Sequence, residues 1–176
     1  MTEHPIDPDA EYRARFGELE FQREVEEAAE QLERNTRTLA DVFIEYMERG
    51  DEIEVVVGSS RWTGFVLDVG DDVVAIDIDG DRVDVALGAV SFARASSAAA
   101  RVAQVHETGH CRSFIARLRD LAGANAGVTV EIGGGALTTI IGQLSAVAES
   151  HVEMTTTSGD VYVVSLAAIG FVSTNL

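Results

Sequence analysis

The chain has 176 residues, 46% hydrophobic and 24% charged, which allows one or two small domains with a real core and argues against wholesale disorder. Its formal net charge is -17, and all 13 of its basic residues are Arg. So acidic a chain is repelled by phosphate backbones and anionic lipid, so nucleic acid is not an expected partner and membrane surfaces are not an expected home.

The N-terminal stretch MTEHPIDPDAE lacks an apolar signal segment, and no apolar run approaches the ~20 residues that a membrane-spanning helix needs. The single Cys111 excludes an internal disulfide and suits a reducing compartment, so a cytoplasmic location is expected. Asp7-Pro8-Asp9 then predicts a helix start, with Asp7 as cap, Pro8 in the first turn and Asp9 complementing the dipole. The helical pattern runs to Arg49, with a sub-boundary at Asn35-Thr36-Arg37-Thr38 and a stop at Gly50. Phe21, Val25, Ala28, Leu32, Leu39, Val42 and Tyr46 keep a heptad, with Asn35 at one inward position. Packing on the chain's own β-structure is the simpler reading of that stripe; a coiled-coil contact with another copy is the sharper one. The glutamates between Glu20 and Glu30 read as a solvated face.

From Gly50 to Ala93 the period changes from helical to alternating. Strands are predicted at Ile53 to Val57, Trp62 to Val69, Val73 to Ile78, Arg82 to Leu87 and Val90 to Ala93, with a bend or bulge at Gly64 and a hairpin at Asp79-Gly80. Residues Gly127 to Ser173 repeat the pattern. Ile53 and Val55 fall on Val128 and Val130, Gly64 on Gly142, Val66 on Leu144, and Val74 on Val152. Val85-Ala-Leu-Gly-Ala-Val90-Ser-Phe92 falls on Val164-Ser-Leu-Ala-Ala-Ile169-Gly-Phe171. The second copy has extra residues at Gly133-Gly134-Gly135 and a hairpin at Ser158-Gly159. A unit of this size is marginal alone, so the copies are expected to share contacts or to pair edge to edge.

Five short strands after a helix ending in Gly, with Gly50 to Val55, Gly64 to Val66, Val69 to Val74 and Val85 to Val90 in order, resemble the Sm-like fold. The whole chain further resembles actinobacterial proteins carrying two such repeats. The resemblance implies an α+β protein of two tandem Sm-like small bent five-stranded antiparallel barrels with an N-terminal helical arm and a helical spacer. The division it suggests is an arm over 1–37, a first repeat with its leading helix over 38–95, a spacer over 96–125 and a second repeat over 126–176. RNA-binding relatives carry Asp-x-x-Met/Leu-Asn and Arg-Gly pairs in their nucleotide-binding loops. Here those stretches read Asp72-Val-Val-Ala-Ile and Val85-Ala-Leu-Gly, then Ser150-His-Val-Glu-Met and Val164-Ser-Leu-Ala. No Asn or Arg is in place there to read a base, so the RNA function does not carry over and an RNA-binding module is only an alternative; fold alone does not assign function.

The spacer holds one catalytic-looking motif, His106-Glu107-Thr108-Gly109-His110, which fits the H-E-x-x-H zinc pattern. A zinc-dependent hydrolase is the enzymatic alternative, with Asp120 or Glu131 conceivable as a third ligand. Against it, Ser113 and Ala116 stand where an extended site needs Gly and His, and Gly109 weakens the supporting helix. Cys111 reads as a buried or free thiol rather than a ligand. Arg112, Arg117 and Arg119 read as a solvated helix face. Asp77, Asp79 and Asp81 read as a hairpin rather than a calcium loop, which would need Gly and Glu where Arg82 and Gly88 stand. Gly133-Gly134-Gly135 lacks the Lys of a phosphate-binding loop and reads as a turn. No catalytic, cofactor or metal residue is assigned, and the expectation is a non-enzymatic protein-interaction or self-assembly module.

Overall fold

The computed structural model describes residues 21–32, 35–96, 112–133 and 138–174. Residues 21–32 are helical (α1), residues 37–38 are not, and Leu39–Arg49 form a second helix (α2), so the break falls at the sub-boundary predicted from Asn35 to Thr38. The predicted helix start at Asp7-Pro8-Asp9 lies outside the described residues. By contacts the chain divides into residues 1–38 and 39–176. In the first unit, Phe21, Val25 and Leu32 are exposed.

The second unit is α+β. Its strands are β1 (Glu52–Val57), β2 (Ser60–Val69), β3 (Val73–Ile78), β4 (Asp81–Ala86) and β5 (Val90–Ser96). After helix α3 (Phe114–Gly123) come β6 (Gly127–Ile132), β7 (Thr138–Val147), β8 (His151–Thr155), β9 (Val161–Ser165) and β10 (Ile169–Ser173). All ten join one antiparallel sheet in the order β5-β1-β2-β3-β4-β10-β6-β7-β8-β9. Where the sequence predicts a barrel for each copy, the strand pairing describes one open sheet running through both. The copies meet edge to edge, β4 against β10, with Phe171 opposite Val85, Val172 opposite Asp84 and Ser173 opposite Val83.

The duplication holds in detail. Each long strand carries its irregularity at the same place, between Val66 and Asp68 in β2 and between Leu144 and Ala146 in β7. The glycines two residues earlier serve close approach: a Cβ on Gly64 would lie 2.1 Å from the Asp77 carbonyl oxygen, and one on Gly142 2.4 Å from that of Thr155. The hairpin after β3 turns at Asp79 (φ 54°) and Gly80 (φ 100°), the left-handed pair that its sequence predicts. The helices that precede the two copies' strands, Leu39–Arg49 and Phe114–Gly123, end alike. Asp51 N–H donates to the Tyr46 carbonyl at 3.0 Å and Ala126 N–H to the Leu121 carbonyl at 3.1 Å, next to Gly50 and Asn125 at positive φ. Counting back from these ends, Phe43 matches Leu118 and Val42 matches Arg117.

The apolar stripe predicted along Leu39, Val42 and Tyr46 is rotated in the structure. Phe43 is the buried residue of α2, with Tyr46 and Met47 packed beside it, while Leu39 is exposed and Val42 half-buried. Helix α2 lies against β2, and that contact sets the face it turns inward. Helix α3 lies on β7 and buries Phe114, Leu118 and Leu121. Strict alternation also fails at Glu54 in β1, which is only 6% exposed between Ile53 and Val55. The Arg61 and Arg94 guanidiniums, each 2.5 Å from one of its carboxylate oxygens, supply the paired charge that such burial requires.

Two hydrophobic clusters form the core, and each borrows from the other copy. Phe171 of β10 packs with Phe43, Val55, Val74 and Val85, and its ring meets Trp62 edge-on at 4.4 Å. Val73 of β3 packs with Leu118, Val128 and Val164. Among the described residues no helix is long and apolar enough to cross a membrane.

Candidate functional site: the seam and the two open edges

The seam between the copies is the most elaborate polar site among the described residues. Asp84, on β4, is 1% exposed. Arg82, two residues away on the same strand face, donates from Nε to its Oδ1 at 2.9 Å, with Nη2 at 2.8 Å. Arg117, from α3 of the other copy, donates from Nε to Oδ2 at 2.7 Å. Both carboxylate oxygens are thus taken by guanidiniums, the geometry that offsets the desolvation of a buried charge. Arg117 is therefore part of the seam and not of the solvated face expected for it, whereas Arg112 and Arg119 are exposed.

Three further ties cross the same boundary. Asp72 Oδ1 accepts the Phe114 N–H at 2.6 Å, and Asp71 N–H donates to the Arg112 carbonyl at 2.9 Å, so the β2–β3 loop holds the start of α3. Ser113 caps the same helix, its hydroxyl accepting from Ala116 N–H at 3.3 Å. On the far side Ser60 Oγ lies 2.9 Å from each carboxylate oxygen of Glu131, itself 5% exposed. Glu131 lines a cavity of about 230 Å³ with Val57, Gly58 and Ala167 to Gly170.

The outer edges of the sheet are β5 and β9. They are the repeat equivalents of the two strands that form the seam: β5 corresponds to β10, and β9 to β4. The registers establish this, because Val74 pairs with Val85 as Val152 pairs with Val164, and Val56 pairs with Phe92 as Glu131 pairs with Phe171. Val85 and its equivalent Val164 are both buried, but the two preceding positions differ sharply. Val83, Asp84 and Val85 of β4 are all 1% exposed or less, whereas Tyr162 and Val163 of β9 are 44% and 68% exposed. All five residues of β10 are buried, whereas Phe92 of β5 is 48% exposed. An apolar strand edge left open in this way is a template for another strand.

The residues singled out in the sequence fall as follows. His106, Glu107, His110 and Cys111 lie outside the described residues. Among the described residues no group of three or more His, Cys, Asp and Glu side chains is placed to hold a metal ion. Asp120 is exposed on α3, and Glu131 is engaged by Ser60 in the seam. Asp77 accepts the Gly80 N–H at 2.8 Å and so closes its own hairpin. Gly133 N–H donates to the Ala168 carbonyl at 2.7 Å, while residues 134–137 lie outside the described residues. In the stretches matching nucleotide-binding loops, the Asp72 side chain is occupied by α3, and Ser150 is exposed beside His151, 3.3 Å from its Nδ1. Nothing in the local pattern marks Arg82, Asp84 and Arg117 as a set. The signal was present in the overlay of the copies, where Arg82-Val83-Asp84-Val85 stands against Val161-Tyr162-Val163-Val164.

No family model matches the chain, and neither a curated protein nor a solved structure matches it.

Proposed function

We propose that this protein is a non-catalytic self-assembly module, a tandem of two Sm-like repeats whose copies join head to tail, β9 of one against β5 of the next. One observation carries the reading: Val83 and Asp84 of β4 and Phe171 of β10 are buried where the copies meet, and their equivalents Tyr162, Val163 and Phe92 are exposed on the open edges β9 and β5. Pairing β9 with a second chain's β5 in the seam's register would set Phe92 opposite Val164 and Ala93 opposite Val163. Arg94 would then face Tyr162, whose ring suits a guanidinium. Such a contact joins unlike surfaces, so it closes into a ring or continues as a filament according to its rotation.

Size-exclusion chromatography with light scattering on the whole chain tests this. The expected mass is a multiple of 18.8 kDa, falling to one chain in Phe92→Glu, which places a charge where Phe171 sits in the seam. A wild-type chain that stays monomeric at every concentration would overturn the reading.

A further inference from the structure

The seam inside the chain and the repeat-equivalent positions on β9 and α2 carry different chemistry, and the differences match one another. Inside, the contact rests on Arg82, Asp84 and Arg117, three charged side chains joined by hydrogen bonds of 2.7–2.9 Å. Their repeat equivalents are Val161, Val163 and Val42. All three positions are Val: none of the charges is retained. Val161 and Val163 are 63% and 68% exposed on the β9 edge, and Val42 is half-buried on α2 beside the fully buried Phe43. In the seam, Arg117 reaches from its helix to the strand of the other copy. An α2 placed likewise over the next chain's β9 would bring Val42 onto Val161 and Val163. Two exposed valines on a strand edge and a third on the helix that would cover them are complementary to one another.

Resting on the head-to-tail reading above, we propose that Val42 of one copy docks on Val161 and Val163 of the next, and that this apolar contact keeps outer and inner junctions from exchanging partners. A chain that offered α3 to a neighbour's β9 would set the Arg117 guanidinium against Val163, unpaired. One that offered α2 to β4 would bury the Asp84 carboxylate without Arg117. Each wrong pairing leaves a desolvated charge, the repulsive element by which an interface rejects close alternatives. Repeats therefore alternate strictly along the assembly, first copy to second copy, and the seam is never opened to a foreign chain.

The test transfers the seam's charges to the outer junction in the full chain. Val163→Asp alone and Val42→Arg alone are each expected to weaken assembly at least tenfold, measured by light scattering across a dilution series. Mixed at equal concentration, they should reassemble to the wild-type mass with the two variants in 1:1 ratio by native mass spectrometry. In the mixture, junctions that pair the introduced guanidinium with the introduced carboxylate alternate with untouched Val42–Val163 ones. If both single variants assemble like wild type, Val42 and Val163 do not meet between copies. If they dissociate and the mixture does not recover, the strand edges pair without α2, and this inference falls while head-to-tail assembly stands. A monomeric wild type would instead sink the underlying reading. Circular dichroism verifies that each variant folds, and Val42→Lys with Val163→Glu supplies the same pair of arms should Val42→Arg not fold.

Discussion

Gly64 and Gly142 show how one atom controls a strand. A Cβ at either would press on a backbone carbonyl, which unlike a side-chain terminus cannot swing away. Gly64→Ala and Gly142→Ala are each expected to destabilise by about 3 kcal/mol, the upper range for forced overpacking. Gly88→Ala, with nothing within 4 Å of its new methyl, should be close to neutral. Urea midpoints of the three variants check this contrast. The sequence predicts a bend or bulge at Gly64; the structure places a strand irregularity two residues beyond each glycine and adds the close approach to the neighbouring strand. Asp84 is the opposite case, since an isolated Asp in a strand reads as solvent-facing. Asp84→Ala removes a buried charge and strands Arg82 and Arg117, and a loss of about 3 kcal/mol is expected, again by denaturant titration. Ser173 offers a gain. Its hydroxyl is buried and has no hydrogen-bond partner among the described residues, so Ser173→Ala should leave stability unchanged or raise it slightly. A clear fall in midpoint would reveal a partner for that hydroxyl.

Helices α2 and α3 occupy equivalent places on equivalent strands, yet their sequences share little beyond an apolar residue every third or fourth position. Phe43 and Leu118 each fill the fully buried position at the helix centre. Phe43→Ala and Leu118→Ala should each lose about 3–4 kcal/mol, because truncation leaves a cavity that a sheet-backed core cannot collapse to fill. The sequence reading anticipated helix, strand order and hairpins, since all follow from local periodicity and turn chemistry. Which face of α2 turns inward was not legible. Heptad spacing through Leu39, Val42 and Tyr46 assumes one continuous helix, and the break at 37–38 removes that assumption. Nor was the role of Asp72, which looks like a loop carboxylate until α3 arrives from 42 residues away to be capped by it.

Across the whole body, the two cores trade Phe171 and Val73 over a continuous sheet, so neither copy is complete alone. Residues 39–176 are accordingly expected to unfold in a single transition, with Phe43→Ala and Leu118→Ala lowering the same midpoint rather than splitting it. Two separated transitions in calorimetry would mean that the seam is weaker than its geometry. The net charge of -17 bears on association. Bringing such chains together costs repulsion that salt screens, and hydrophobic edges are indifferent to screening. Assembly should thus strengthen from about 0.02 M to about 0.5 M NaCl, the reverse of a contact built on opposite charges. Sedimentation velocity at the two salt levels distinguishes these directions.

Sequence alone determined the duplication, the helix-then-five-strands order, the glycine positions and the hairpin turns, because each depends on residues a few places apart or on comparison of one copy with the other. Tertiary structure decided what those copies do to each other. Whether Arg82-Val83-Asp84 is a covered strand and Val161-Tyr162-Val163 an open one depends on which edge another strand reaches. That is a property of chain topology over more than a hundred residues, and no local pattern encodes it. The same three-residue span is sealed by Arg117 in one copy and exposed in the other.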